Sequence, residues 1–135
     1  MTMKLHHRPF NTDLGLLILR AFVGMTMMVS HGWGKMTRLL EGNTDFADVF
    51  GMGEAPSLVL AVFAEVICSA LLTLGLFTRW ALIPLMITML VAVFYIHAND
   101  PFSKQEFGLL FLVPYISLFF TGPGKYSIDA LINKR

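Results

Sequence analysis

The chain has 135 residues, of which 56% are hydrophobic and only 14% charged, where soluble domains run roughly 45–50% apolar and 25% charged. A chain this short cannot hide so much apolar surface in a water-soluble fold, so lipid is the expected solvent. A net charge of +1 without a basic stripe excludes nucleic acid as a partner. The single cysteine, Cys68, excludes an internal disulfide and a thiolate metal cluster.

The N-terminal stretch MTMKLHHRPF is polar, with His6 and His7 as a solvated pair, and no cleavable signal peptide is expected after it. A membrane helix needs about 20 mostly apolar residues, and four segments answer to that. The first runs over residues 13–31 and carries Arg20. The long connection from Lys35 to Pro56 follows, in which residues 44–50 are expected to form a short interfacial helix. The second span covers residues 57–77, with Glu65 as its one charge and Cys68 as a small core residue. A soluble bundle would carry a charged face on each helix, and this segment has none. Gly75 and Thr78-Arg79 mark a tight turn, so the second span and the third, 80–97, form an antiparallel hairpin. The third has no acid or base before His97. Asn99-Asp100-Pro101 turns the chain into the fourth and shortest span, 107–121. Gly122-Pro123-Gly124 ends it, and Ser127 caps a short amphipathic tail helix over about 127–133 with Asp129 in its first turn. The reading is all-α: a transmembrane four-helix bundle forming a single integral membrane domain over 1–135.

Finer features fit that frame. Trp33, Trp80 and Tyr126 sit near helix ends, where aromatic belts form. Met25, Met27, Met28, Met86 and Met89 are packing and lipid contacts. Pro84 and Pro114 lie inside the third and fourth spans, where each removes a donor and favours a kink. Basic residues set orientation. One side holds Lys4, Arg8, Arg79, Lys125, Lys134 and Arg135, and the other Lys35, Arg38 and Lys104. This bias places both termini in the cytoplasm.

Ionisable groups inside a span are costly and face the bundle interior or a wet cavity. Here they are Arg20 and Glu65, with His31, Lys35, His97 and Glu106 near the outer ends. At about 100° per residue, Arg20, Gly24, His31 and Lys35 fall on one stripe of the first helix, and Gly24 lets another backbone approach. Glu65 has three options: a pair with Arg20, a hydrogen bond from Ser30 or His31, or a proton of its own. One reading makes these groups a structural device that fixes helix register. The other makes Arg20, His31, Glu65 and His97 the lining of a pocket open to the outer face, with Lys35 at its mouth and Tyr95 within reach or part of the belt. Such a pocket suits a quinone headgroup, a proton relay or a small anion. His31, Glu65 and His97 come from three helices without diagnostic spacing, so metal and haem rank below quinone.

With these residues in view the sequence resembles the DoxX family of small four-span membrane proteins. The resemblance rests on Leu19-Arg20, on His31-Gly32-x-x-Lys35, on Glu65, and on Leu74-Gly75-Leu76-Phe77-Thr78-Arg79. It continues through His97 to Gly122-Pro123-Gly124-Lys125-Tyr126-Ser127-Ile128-Asp129. It implies a four-helix bundle in a bacterial inner membrane, associated with redox work and with partner oxidoreductases. A redox-associated subunit that binds a quinone or similar small molecule is therefore the leading expectation. A non-catalytic scaffold for a partner enzyme is the alternative, acting through the Gly24 stripe, the loop from Gly42 to Gly53 or the tail. A small-solute transporter ranks third and would require a dimer. Whether the chain is catalytic, and whether it forms a homo-oligomer, stays open at this level.

Overall fold

The structure is a computed structural model that describes residues 7–134; His6 and the basic residues Lys4 and Arg135 lie outside the described residues. Four long helices follow one another: α1 Thr12–Leu40, α2 Glu54–Leu74, α3 Thr78–Ile96 and α4 Phe102–Thr121, with a short α5 at Ile128–Ile132. No strand occurs among the described residues. The first three helices are long and apolar enough to cross a membrane by length and composition. The fourth spends its first turn on Ser103, Lys104, Gln105 and Glu106 before its apolar run begins at Phe107.

The starts and stops have local causes. Asn11 caps α1, its Oδ1 accepting the Leu14 N–H at 3.0 Å. Helix α2 stops at Gly75, which takes the left-handed conformation at φ 71°. Ser127 caps α5 by accepting the Ala130 N–H at 3.2 Å.

Helix α1 packs along α2, α3 packs along α4, and α2 joins the two pairs. The core is a seam of Val23, Met27, Cys68, Leu72, Leu82 and Leu118, all buried. The outward faces are as apolar as the inside: Phe22, Val29, Ile67, Phe94, Leu110 and Phe120 are exposed. That inverts the usual polarity of a surface helix and suits acyl chains. The architecture is an all-α transmembrane four-helix bundle.

In lipid, apolar burial alone does not drive helices together, so close contact must. At Gly32 a Cβ would sit 2.6 Å from the Glu65 carbonyl oxygen, and at Gly24 it would collide with the Thr73 hydroxyl. Only hydrogen fits at either position. Gly24 is therefore committed to α2 of its own chain and offers no free stripe to a partner.

One helix runs beyond its expected span, and one expected helix does not form. Helix α1 does not end at His31 but continues to Leu40, giving about 43 Å of helix at 1.5 Å per residue. That exceeds the roughly 30 Å hydrocarbon core, so its last turns reach beyond it. Residues 43–49 form no helix. Side chains satisfy this loop instead: Asn43 Oδ1 accepts the Asp45 N–H at 3.1 Å, Asp48 Oδ1 the Gly53 N–H at 2.8 Å, and Ser57 Oγ the Val49 N–H at 3.1 Å. Local side-chain partners of this kind compete with helix formation.

Helices α1, α2 and α3 each contain a π-helical stretch: Met28–Gly32, Phe63–Cys68 and Ala92–Ile96. The Trp33 N–H reaches the carbonyl of Met28, five residues back, and the His97 N–H that of Ala92. A wider turn rotates everything beyond it relative to an α-helical register.

Candidate functional site: a buried ion pair over a loop-end cavity

The close approach at Gly32 brings the middle of α2 within reach of α1. Three residues further along α1, Lys35 extends its ammonium to Glu65, with Nζ 2.8 Å from Oε1. The Glu65 side chain is 3% exposed and Lys35 24%, so the cation bridges a buried carboxylate to the loop end of the bundle. Glu65 Oε2 is also buried and has no partner among the described residues. Buried polar atoms are nearly always hydrogen-bonded, so Oε2 stands out, as do the buried and unpartnered hydroxyls of Ser69, Thr78 and Tyr115.

Beside this pair lies a cavity of about 390 Å³. Lys35 and Glu65 supply its charge, His97 stands on its wall, Leu60 and Ile87 represent its apolar lining, and the loop roofs it with Phe46 and Phe50. The volume falls in the usual range for small-molecule sites, roughly 300–1,000 Å³.

His97 is oriented by its own turn. Its Nδ1 lies 2.7 Å from Asp100 Oδ2, and its carbonyl accepts from Gln105 Nε2 at 2.9 Å. The Asp100 bond leaves Nε2 as the ring's remaining polar atom. The hydrogen bond from His97 holds the Asp100 carboxyl below its ordinary value, and the Lys104 charge adds to that effect.

Of the six residues expected at a site, Lys35, Glu65 and His97 meet at this cavity. Tyr95 is not on its wall. Its hydroxyl accepts the Phe50 N–H at 3.2 Å, and its ring stacks on Phe50 at 4.6 Å between centroids, so it fastens the roof. His31 turns away to meet Phe111 of α4 edge-on at 5.6 Å. Arg20, Gly24 and Lys35 all face α2, and of the stripe only His31, which lies within the π-helical stretch, departs from it.

Arg20 is at the other end of the bundle, and the Arg20–Glu65 pair does not form. Arg20 is fully buried. Its guanidinium donates to three carbonyls: Nε to Thr73 O at 3.4 Å, Nη1 to Pro123 O at 2.5 Å and Nη2 to Tyr126 O at 2.7 Å. Thr73 is in the last turn of α2, where carbonyls lack helical partners and a cation is favoured. Arg20 thus ties the α2 terminus to the segment after α4.

Asp129 completes this tie, and sequence reasoning assigned it only to a helix first turn. Its two oxygens accept the N–H groups of Phe77 and Thr78 at 2.8 and 2.9 Å, and its own N–H donates to Gly75 O at 2.9 Å. Burial opposes its ionisation, but these N–H donors and the nearby Arg20 charge outweigh burial and hold the carboxyl below its ordinary value. Its partners are some fifty residues away in sequence, which no local pattern reveals. Among the described residues no three His, Cys, Asp or Glu side chains gather as metal ligands would.

Four packed helices, three of them long and apolar enough to cross a membrane, with an arginine locking one end and an ion pair beside a cavity at the other, define a multi-pass membrane protein with buried polar groups. A sequence model of the DoxX family matches residues 15–98, and the chain belongs to that family. It is 31% identical over 130 residues to the inner membrane protein YqjF of Escherichia coli, covering 91% of this chain and 95% of that one. An uncharacterised protein of Haemophilus influenzae is 30% identical over 130 residues, covering 91% of this chain and 86% of its own. An uncharacterised membrane protein of Mycobacterium tuberculosis is 30% identical over 119 residues, covering 77% and 66%. No solved structure matches the chain.

Proposed function

We propose that this chain is a redox-associated protein of a bacterial inner membrane, with both termini cytoplasmic, that binds a quinone or a closely similar small molecule in the outer-end cavity. The observation that carries the reading is Glu65: one oxygen held by Lys35, the other buried without a partner, at the wall of a cavity of about 390 Å³. A quinone has an apolar ring and tail, which suit Leu60 and Ile87, and two oxygens that alternate between acceptor and hydroxyl. Lys35 donates to the carbonyl form, and Glu65 accepts from the hydroxyl form. His97 stands at the same cavity, with Nε2 left for hydrogen bonding once Nδ1 is held by Asp100. The redox association implied by the family resemblance agrees with such a ligand.

The test is Glu65→Gln in purified protein titrated with a short-chain ubiquinone analogue. Replacing a charged partner removes roughly 1.5–3 kcal/mol, so affinity should fall about 10- to 100-fold while thermal unfolding moves little. A folded Glu65→Gln protein with wild-type affinity removes the site. An absorbance spectrum and mass analysis of the wild-type protein as purified identify any ligand it carries.

A further inference from the structure

A second cavity, of about 510 Å³, lies at the opposite end of the bundle, and the outer-end site makes no use of it. Its walls are the start of α3 from Phe77 to Trp80, the Pro123–Gly124 bend and the face of α5 around Ala130. Two charged residues line it, Asp129 and Arg79.

Asp129 is engaged: both oxygens accept backbone N–H groups, and Arg20 lies close by. Arg79 is not. It is exposed, and only its Nε donates, to Phe119 O at 3.0 Å. Its two Nη groups have no partner among the described residues and lie close to Gly122, where a Cβ would sit 3.1 Å from Nη2. A guanidinium fork with free ends matches a phosphate in two-pronged fashion.

The surface beside the cavity adds the other half of a ligand. Trp80, Ile83 and Ile87 are exposed at spacings of three and four along α3, an apolar stripe that runs from the cavity toward the middle of the bilayer. Lys125 is exposed at the same end. A zwitterionic headgroup would bring its own ammonium to these cations, whereas an anionic one brings none.

We propose that the tail-end cavity binds an anionic phospholipid, with its phosphate on the Arg79 guanidinium and one acyl chain along Trp80, Ile83 and Ile87. Basic pockets between membrane helices take anionic headgroups in this way. The headgroup end of this site stands apart from the outer-end cavity, whose apolar lining the acyl chain meets only at Ile87.

The experiment is native mass spectrometry of the full chain extracted from vesicles of equal phosphatidylglycerol and phosphatidylcholine. The wild type should retain phosphatidylglycerol in preference, and Arg79→Gln should lower that preference roughly tenfold. Ala130→Phe fills the cavity and leaves the guanidinium in place, so it should cause the same loss even where Arg79→Gln does not fold. Inorganic phosphate added at millimolar concentration should leave the bound lipid in place. Equal retention of the two lipids, a preference that survives both substitutions, or displacement by inorganic phosphate each overturns the proposal, the last by making the site one for free phosphate.

Discussion

Arg20 shows how a single cation is made tolerable inside a membrane span. An arginine at the centre of a membrane helix costs about 2.5–3.5 kcal/mol on insertion scales, and here its three donors meet three carbonyls that have no helical partners. Arg20→Ala removes the cation and leaves three carbonyls short of a donor, each worth about 1–3 kcal/mol when buried. Denaturant unfolding in detergent should show a loss of at least about 3 kcal/mol, and Arg20→Lys should recover only part of it, because an ammonium lacks the fork. Gly75 sits under the same guanidinium. A Cβ there would lie 2.5 Å from the Ser127 Cβ and 3.1 Å from the Arg20 Cζ, at a φ that already costs other residues about 1–2 kcal/mol. Gly75→Ala should therefore destabilise by more than the backbone term alone in the same measurement. Asp129 gives the assembly a pH dependence. Its carboxyl titrates below the ordinary value in the folded protein, so its contribution is fully present above the unfolded value of about 3.9 and is lost as pH falls through the lower folded value. Asp129→Asn should be less stable at neutral pH, and its stability should fall less steeply on acidification than that of the wild type. An acid limb of unchanged slope would assign the pH dependence to other carboxylates.

At the level of the helix, the motif Gly32-x-x-Lys35 is a single device. Gly32 sets the distance between α1 and α2, and Lys35, on the same side of the helix, uses that distance to reach Glu65. Gly32→Val would press against the Glu65 carbonyl and its carbon, both backbone atoms that cannot rotate aside. The expected outcome is a lower thermal midpoint together with loss of quinone-analogue binding, as the two helices part. The four apolar runs, the tight Gly75 turn and the Ser127 cap were legible because each depends on neighbours in sequence. Glu65 and Lys35 were conspicuous too, because charge inside or at the edge of an apolar run stands out, and the structure pairs them. The partner of Glu65 was not legible. Periodicity at a uniform 100° grouped Arg20 with His31 and Lys35, but Arg20 and Lys35 meet α2 about 22 Å apart along the axis, and His31, inside the π-helical stretch from Met28 to Gly32, turns to α4. Nothing in MVSHG announces that wider turn, since it is set by contact with α2. The loop was misread for a related reason. Asp45, Phe46 and Asp48 suggest an amphipathic turn, but Asn43, Asp48 and Ser57 capture the backbone first.

The whole molecule has two unlike ends. One is tied together, with α5 and the segment before it fastened by Arg20 and Asp129 to the α2–α3 turn beside the tail-end cavity. The other holds a cavity under a loop that Tyr95 and Ser57 pin down. If a ligand enters from outside the cell, the loop must lie on the outer face and both termini in the cytoplasm, which is also what the distribution of lysine and arginine favours. The natural sequence offers a clean way to ask. Its one cysteine, Cys68, is 2% exposed in the helix core, so an impermeant maleimide should leave the wild-type protein in intact cells unlabelled. Asn43 is exposed in the loop, and although its side chain accepts the Asp45 N–H, that bond lies at the surface, where its loss costs little. Asn43→Cys should be labelled in intact cells without prior permeabilisation. A second probe on the tail end, Lys125→Cys, should be labelled only after the membrane is opened, and the Lys125 side chain contributes little to the fold beyond a contact with the Tyr126 ring. The reverse pattern would put the cavity on the cytoplasmic side, and the quinone would then be served by a cytoplasmic partner.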